Sequence, residues 1–126
     1  MGKIQSRLLK EARAVMPELL EEDAVEVMIS ELDPLDPQKR VHCVTVFTKQ
    51  VLYVFCNGTL TCSEPMENIE SFAVFNGVGC VFAEYERKSD GEHVLFARSD
   101  NRRQSQMAQS TKRANHFLRY GDTDFS

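Results

Sequence analysis

Hydrophobic and polar residues alternate over most of this chain, and the spacing changes to that of a helix only near the two ends. The segment Val41 to Phe55, VHCVTVFTKQVLYVF, holds two alternating runs separated by Lys49 and Gln50. A period of two places successive side chains on opposite faces of a strand, and a short polar break lets the chain reverse. The segment therefore predicts a β-hairpin, and nothing near it supplies reactive groups.

Further strands are predicted before and after this hairpin. The first is Ala24 to Leu32, with Val25, Val27 and Ile29 on one face, and a loop with two Asp-Pro steps follows it. Asn57-Gly58 is the strongest turn signal, because both residues tolerate the positive φ angles of a tight hairpin. The later strands are Thr59 to Cys62, Ile69 to Phe75, Gly79 to Glu86 and His93 to Arg98.

The amino-terminal segment is predicted to be an amphipathic helix. Its apolar face carries Ile4, Leu8, Ala12, Val15 and Leu19. Pro17 interrupts this helix because proline has no amide hydrogen, so residues 17 to 22 form at most a separate turn. The apolar face would bind a membrane surface or a partner helix, or it would pack on the sheet. The acidic flank at residues 18 to 23 favours packing on the sheet.

A second helix is predicted from Asp100 or Asn101 to Tyr120, and Gly121 is placed to end it. Its apolar face carries Met107, Thr111, Ala114, Phe117 and Leu118. The whole pattern predicts a mainly β (α+β) fold: a roll of about seven antiparallel strands capped by a C-terminal helix, with an extra N-terminal helix. The expected divisions are residues 1–22 for the first helix, 23–120 for the main domain and 121–126 for a tail or linker.

Composition and charge limit the classes of partner. The 126 residues are 42% hydrophobic and 27% charged, and the net charge is −4. This charge argues against nucleic acid and anionic lipid as default partners. No apolar run reaches the roughly 18 to 20 residues that cross a bilayer, and the amino terminus has no signal-peptide pattern, so a cytoplasmic location is expected.

Neither a metal centre nor a catalytic site is expected. The four cysteines, Cys43, Cys56, Cys62 and Cys80, form no C-x-x-C pair and are predicted to be reduced and mostly buried. No nearby motif gives His42, His93 or His116 an acid or nucleophile partner. The Gly77 and Gly79 turn lacks the third glycine and the context of a nucleotide loop. We therefore expect no catalytic residue, no metal and no cofactor.

Charge is unevenly distributed along the chain. Residues 11 to 36 are mostly acidic, whereas the last strand and helix are basic. The basic residues are Arg98, Arg102, Arg103, Lys112, Arg113 and Arg119. They form either a docking face for acidic protein or lipid headgroups, or a solvated helix face, which their positions off the apolar stripe favour.

The order of the elements resembles the pleckstrin-homology-like fold, in its bacterial and GRAM-type branch. The resemblance rests on VTVFTKQVLYVF (Val44 to Phe55), on PMENIESF (Pro65 to Phe72) and on the closing helix, within residues 23 to 120. Lys49-Gln50 departs from the acidic-basic pair that is commoner at that turn. The resemblance implies a non-catalytic interaction module. It does not carry over a phosphoinositide site, because aspartates oppose the few basic residues of the loop DPLDPQKR.

The amino-terminal part also resembles the domain that begins some bacterial ABC exporters. Those domains have a helix, an acidic entry comparable to AVEVMISELDPLDPQKRV, the hairpin and a closing helix. This resemblance implies a regulatory or assembly domain of an ABC-type transporter, with ATP hydrolysis in another part of a longer chain and only indirect membrane contact. The alternatives are a stand-alone adaptor that binds a peptide on a strand edge or on its helix, and a peripheral binder of lipid headgroups.

Overall fold

The computed structural model describes residues 2–125, which form seven antiparallel strands and two α-helices. The helices are α1 (Lys3–Val15) and α2 (Gln104–Tyr120). The strands are β1 (Ala24–Leu32), β2 (Arg40–Thr48), β3 (Val51–Cys56), β4 (Thr59–Pro65), β5 (Ile69–Asn76), β6 (Val81–Arg87) and β7 (His93–Ser99). The predicted mainly β (α+β) fold with a helix at each end is confirmed.

The strands form one sheet that bends at its centre. Its order is β4-β3-β2-β1-β7-β6-β5, and every neighbouring pair is antiparallel. β1 and β7 share a single bridge, between Leu32 and Arg98, and β1 has irregular pairing with β2 near both of its ends. Bulges of this kind bend a strand, so β1 is where the two halves of the sheet turn toward each other. β4 and β5 are left as the edge strands.

The concave face of the bent sheet and helix α2 enclose the main core. Phe47, Phe72 and Phe96 meet edge to face, with ring centroids 5.2 to 6.1 Å apart. α2 adds Met107 and Ala114, both fully buried. Edge-to-face aromatic contacts add to the gain from burying the rings, so α2 completes a core that the sheet cannot close by itself.

Helix α1 covers the opposite, convex face of the first half of the sheet. Leu8, Leu9 and Ala12 are buried there against residues of β1, β2 and β3 that include Val44 and Phe55. The predicted packing of this helix on the sheet is therefore confirmed. Ile4 and Val15, which the pattern also assigned to the apolar face, remain 53% and 40% exposed, so the contact is narrower than predicted.

The Asn57-Gly58 turn and the end of α2 agree with the predictions from the sequence. Asn57 and Gly58 have φ angles of 51° and 76°, as the predicted tight turn requires. α2 ends at Gly121, which has a φ of 72° and donates its N–H to the carbonyl oxygen of Phe117. Its start differs from the prediction, because a 3-10 turn occupies Asn101–Arg103 and α2 begins at Gln104. No helix within residues 2–125 is both long and apolar enough to cross a membrane.

The prediction that all four cysteines are reduced is wrong for two of them. Cys43 on β2 and Cys56 on β3 form a disulfide, with their Cα atoms 4.2 Å apart. The two residues are directly opposite each other in the β2–β3 ladder. Their sequence separation gave no sign of this, because it depends on the register of the hairpin. Cys62 and Cys80 are free.

Candidate docking groove beside helix α2

A groove of about 820 Å³ lies between the second half of α2 and the start of β5. The 3-10 turn Met66–Asn68, which joins β4 to β5, closes one side of it. Met66 and Ile69 are buried, and Phe117 and Leu118 of α2 are half-buried beside them. The floor of the groove, meaning its accessible apolar surface, therefore comes from Phe117 and Leu118, and much of the remaining lining is polar.

The rim of the groove carries unpaired charges. Its cations are Lys49 in the β2–β3 turn, Lys88 in the β6–β7 turn, and Lys112 and Arg119 on α2. All four are exposed, and none makes an ion pair with another residue in the range 2–125. Two exposed carboxylates, Glu67 and Glu70, also line the groove and form no ion pair in the described part of the chain.

Asn115 of α2 connects the groove to the free edge of β5. Its side-chain oxygen accepts the N–H of Phe72 at 2.8 Å, and its side-chain nitrogen donates to the Phe72 carbonyl at 2.8 Å. These are the two bonds that a residue on a neighbouring antiparallel strand would make. Because outward-facing backbone groups alternate along a strand, Val74 and Asn76 direct theirs to the same side as Phe72. Within residues 2–125, side-chain hydrogen bonds therefore cap the edge of β5 at Phe72 alone.

Four of the six basic residues predicted as a docking face lie away from the groove. Arg102 and Arg103 both pair with Glu31, at 3.6 and 2.6 Å. Arg113 pairs with the buried Glu26 at 3.0 Å. Arg98 is half-buried on β7, and its Nε and Nη1 atoms have no hydrogen-bond partner among the described residues.

Only Lys112 and Arg119 of the predicted six line the groove, where Lys49 and Lys88 join them. Sequence reasoning missed the two turn lysines. Each is a single exposed cation in a loop, which is ordinary at a protein surface. No pattern in the sequence indicates that four separate segments, Lys49, residues 66–71, Lys88 and residues 112–121, meet around one groove.

A cluster of hydrogen-bonded polar side chains links β4 to β6. The Tyr85 hydroxyl donates to Oε1 of Glu64 at 2.9 Å, and the Asn68 side-chain amide donates to Oε2 at 3.0 Å. Arg87 lies 3.5 Å from the same carboxylate. Burial raises the pKa of the Tyr85 hydroxyl, and it also raises the pKa of the Cys62 thiol beside it. The higher pKa values favour the neutral phenol and thiol, and the hydrogen bonds of the cluster connect β4 to β6.

The three histidines lie at separate places, and each contacts a carboxylate. His42 is 2.7 Å from Glu11, and His116 is 2.7 Å from Asp122. His93 is 3.0 Å from Glu84. No nearby motif predicted an acid partner for any of them, and the fold supplies one in each case.

None of the three histidines hydrogen-bonds to a serine, threonine or cysteine side chain within the described residues. Nor do three His, Cys, Asp or Glu side chains of residues 2–125 come together in an arrangement that could hold a metal ion.

Comparison with known proteins identifies no relative: no family model, no curated protein and no solved structure matches the chain.

Proposed function

We propose that this protein is a non-catalytic interaction module that binds a segment of a partner protein in the groove beside α2. The observation that carries the proposal is the apolar floor of the groove next to an uncovered strand edge. Extended segments bind such sites by placing side chains on the floor and backbone groups along the edge. The groove thus supports the adaptor-like alternative that the sequence left open.

The residues in the groove give little support to a catalytic function. Ser71 and His116 both line it, and a nucleophile and a base would have to hydrogen-bond to each other. Nε2 of His116 contacts Asp122 instead, and no hydrogen bond joins the histidine to Ser71 in the described part of the chain. A catalytic reading therefore lacks the nucleophile–base contact on which it would depend.

A library of random peptides displayed on phage and selected on the folded protein tests this proposal. We expect enriched peptides to shift the backbone amide resonances of residues 69–72 and 112–121. Ser71→Trp should weaken their binding at least about tenfold, because the indole fills the groove. Ser63→Trp is the matched control, since it places the same side chain on an exposed position of β4 away from the groove. A library that yields no peptide, or peptides insensitive to Ser71→Trp, would refute the proposal.

The narrower hypothesis, a domain of an ABC-type transporter, stays a prediction of the resemblance. Reading the gene beyond Ser126 tests it directly. Several long apolar segments and a phosphate-binding loop would support it, and a stop codon would contradict it. The membrane-binding alternative has less support, because Leu8, Leu9 and Ala12, the centre of the apolar face of α1, are buried against the sheet.

A further inference from the structure

The charge around the groove is opposite in sign to the charge of the whole protein. Among the described residues, four cations, Lys49, Lys88, Lys112 and Arg119, and two carboxylates, Glu67 and Glu70, line the groove. The chain as a whole carries a net charge of −4. A local positive potential on an acidic protein selects for anionic partners at that place and repels them elsewhere.

The four cations that line the groove differ in their ion pairing from three arginines outside it. Arg102, Arg103 and Arg113 are each within 4 Å of a carboxylate of this chain, so their charge is already compensated. The four groove cations have no such partner in residues 2–125. A carboxylate brought by a ligand would therefore add an interaction without breaking an existing ion pair.

The shape of the site favours a peptide over other anionic ligands. Phe117 and Leu118 are only partly exposed inside the groove, and a flat bilayer surface that contacts the exposed lysines does not reach them. A peptide segment contacts both the floor and the rim of the groove, because its apolar side chains lie on the floor while its acidic side chains extend to the rim. The strand edge of β5 adds backbone groups that only a polypeptide matches.

We infer that the groove binds an acidic segment of a partner protein, which places an apolar side chain against Phe117 and Leu118 and carboxylates near the four cations. This inference rests on the proposed function and specifies the chemistry of the partner. Because exposed ion pairs act mainly through long-range attraction, binding should be strongly sensitive to salt.

The peptides enriched in the phage selection provide the first test. They should carry more Asp and Glu than the starting library and at least one apolar residue. Enriched peptides that bind in the groove but are neutral or basic would overturn the inference and leave the proposed function standing. A selection without any groove-binding peptide would overturn both.

Charge reversal in the protein provides the second test, with fluorescence anisotropy on one enriched peptide. Lys112→Glu and Arg119→Glu should each weaken binding about three- to tenfold, and raising NaCl from about 50 to about 300 mM should reduce the difference. Lys10→Glu is the matched control, because it reverses an exposed charge on α1 outside the groove. An effect of Lys10→Glu equal to that of Lys112→Glu would show that net charge, and not the groove, governs binding.

Two further comparisons separate the acidic segment from other anionic ligands. An analogue of the same peptide with Gln in place of each Asp and Glu should bind at least about tenfold more weakly, and equal binding would contradict the inference. Vesicles of phosphatidylcholine and phosphatidylserine should not sediment the protein. Sedimentation that Lys112→Glu abolishes would assign the groove to a membrane surface instead.

Discussion

The two helices contact the same sheet in different ways. α1 lies on the convex face through Leu8, Leu9 and Ala12, and its polar connection to the sheet is the exposed pair between Glu11 and His42. α2 completes the main core and is fixed by directional bonds: Asn115 binds the backbone of Phe72 and Arg113 binds Glu26, while Arg103, in the 3-10 turn that leads into α2, binds Glu31.

The difference shows what each kind of contact specifies. Apolar contacts are not directional, so α1 is held against the sheet without a strong constraint on its position along it. Hydrogen bonds and ion pairs require particular atoms to meet, so they set both the rotation of α2 and its position along the strands. The groove depends on that placement, because α2, the start of β5 and three loops between strands line it.

The largest expected difference in stability is between a chain that lacks α1 and a chain that lacks α2. A chain that starts at residue 17 should keep a dispersed amide spectrum, with a free energy of unfolding lower by about 4 kcal/mol from the loss of two buried leucines. A chain that ends at residue 103 should lose cooperative unfolding, because the main core is left open. Far-UV circular dichroism and urea titration distinguish the two. Equal stability of both truncated chains would show that the helices are equivalent.

Breaking the pair between Arg113 and Glu26 should have the next largest effect. The Glu26 side chain is only 7% exposed, so Arg113→Met leaves a buried carboxylate without its cation. We expect a loss of about 1–3 kcal/mol in the free energy of unfolding, reduced from the value for a fully buried pair because Arg113 is 36% exposed.

Two controls accompany this measurement. Lys112→Met, one residue earlier on α2, should change stability by less than about 0.5 kcal/mol because Lys112 is exposed and unpaired in the described structure. Adding Glu26→Leu to Arg113→Met should restore most of the lost stability, because the buried charge is then gone. A double variant as unstable as the single one would show that packing, and not charge, explains the loss.

Asn115→Ala should destabilise the protein by about 1–2 kcal/mol, because the N–H and carbonyl of Phe72 lose their partner. Hydrogen exchange at the Phe72 amide should accelerate more than exchange in β2, which is paired with β1 on one side and β3 on the other. Asn115→Asp keeps the acceptor and removes the donor, so an intermediate loss is expected. Unchanged exchange at Phe72 would contradict the capping role of Asn115.

The smallest effect is expected at the surface of α1. His42→Ala removes the contact with Glu11, and both side chains are about half exposed. Exposed pairs contribute about 0.2–1 kcal/mol at most, so the midpoint of urea unfolding should barely move. A loss as large as that of Arg113→Met would mean that a polar bond positions α1 as well, and the contrast between the helices would disappear.

Much of the fold could be predicted because its signals are local. Alternation located the strands, Asn57-Gly58 has the predicted turn geometry, and α2 ends at the predicted residue. Much less of the candidate site could be predicted. Lys112 and Arg119 were among the predicted basic residues, but a list of cations in a sequence cannot show which ones the fold neutralises.

The sequence by itself determined the elements of this protein: seven strands, their turns and a helix at each end. Those features follow from neighbouring residues, whose spacing fixes which side chains share a face. The tertiary structure decided what depends on register between distant segments. It joined Cys43 to Cys56, and the irregular pairing near Ala24 placed Val25 in the main core while Val27 faces α1. It also brought Lys49 and Lys88 to the groove, because loops far apart in the chain meet only when the sheet bends.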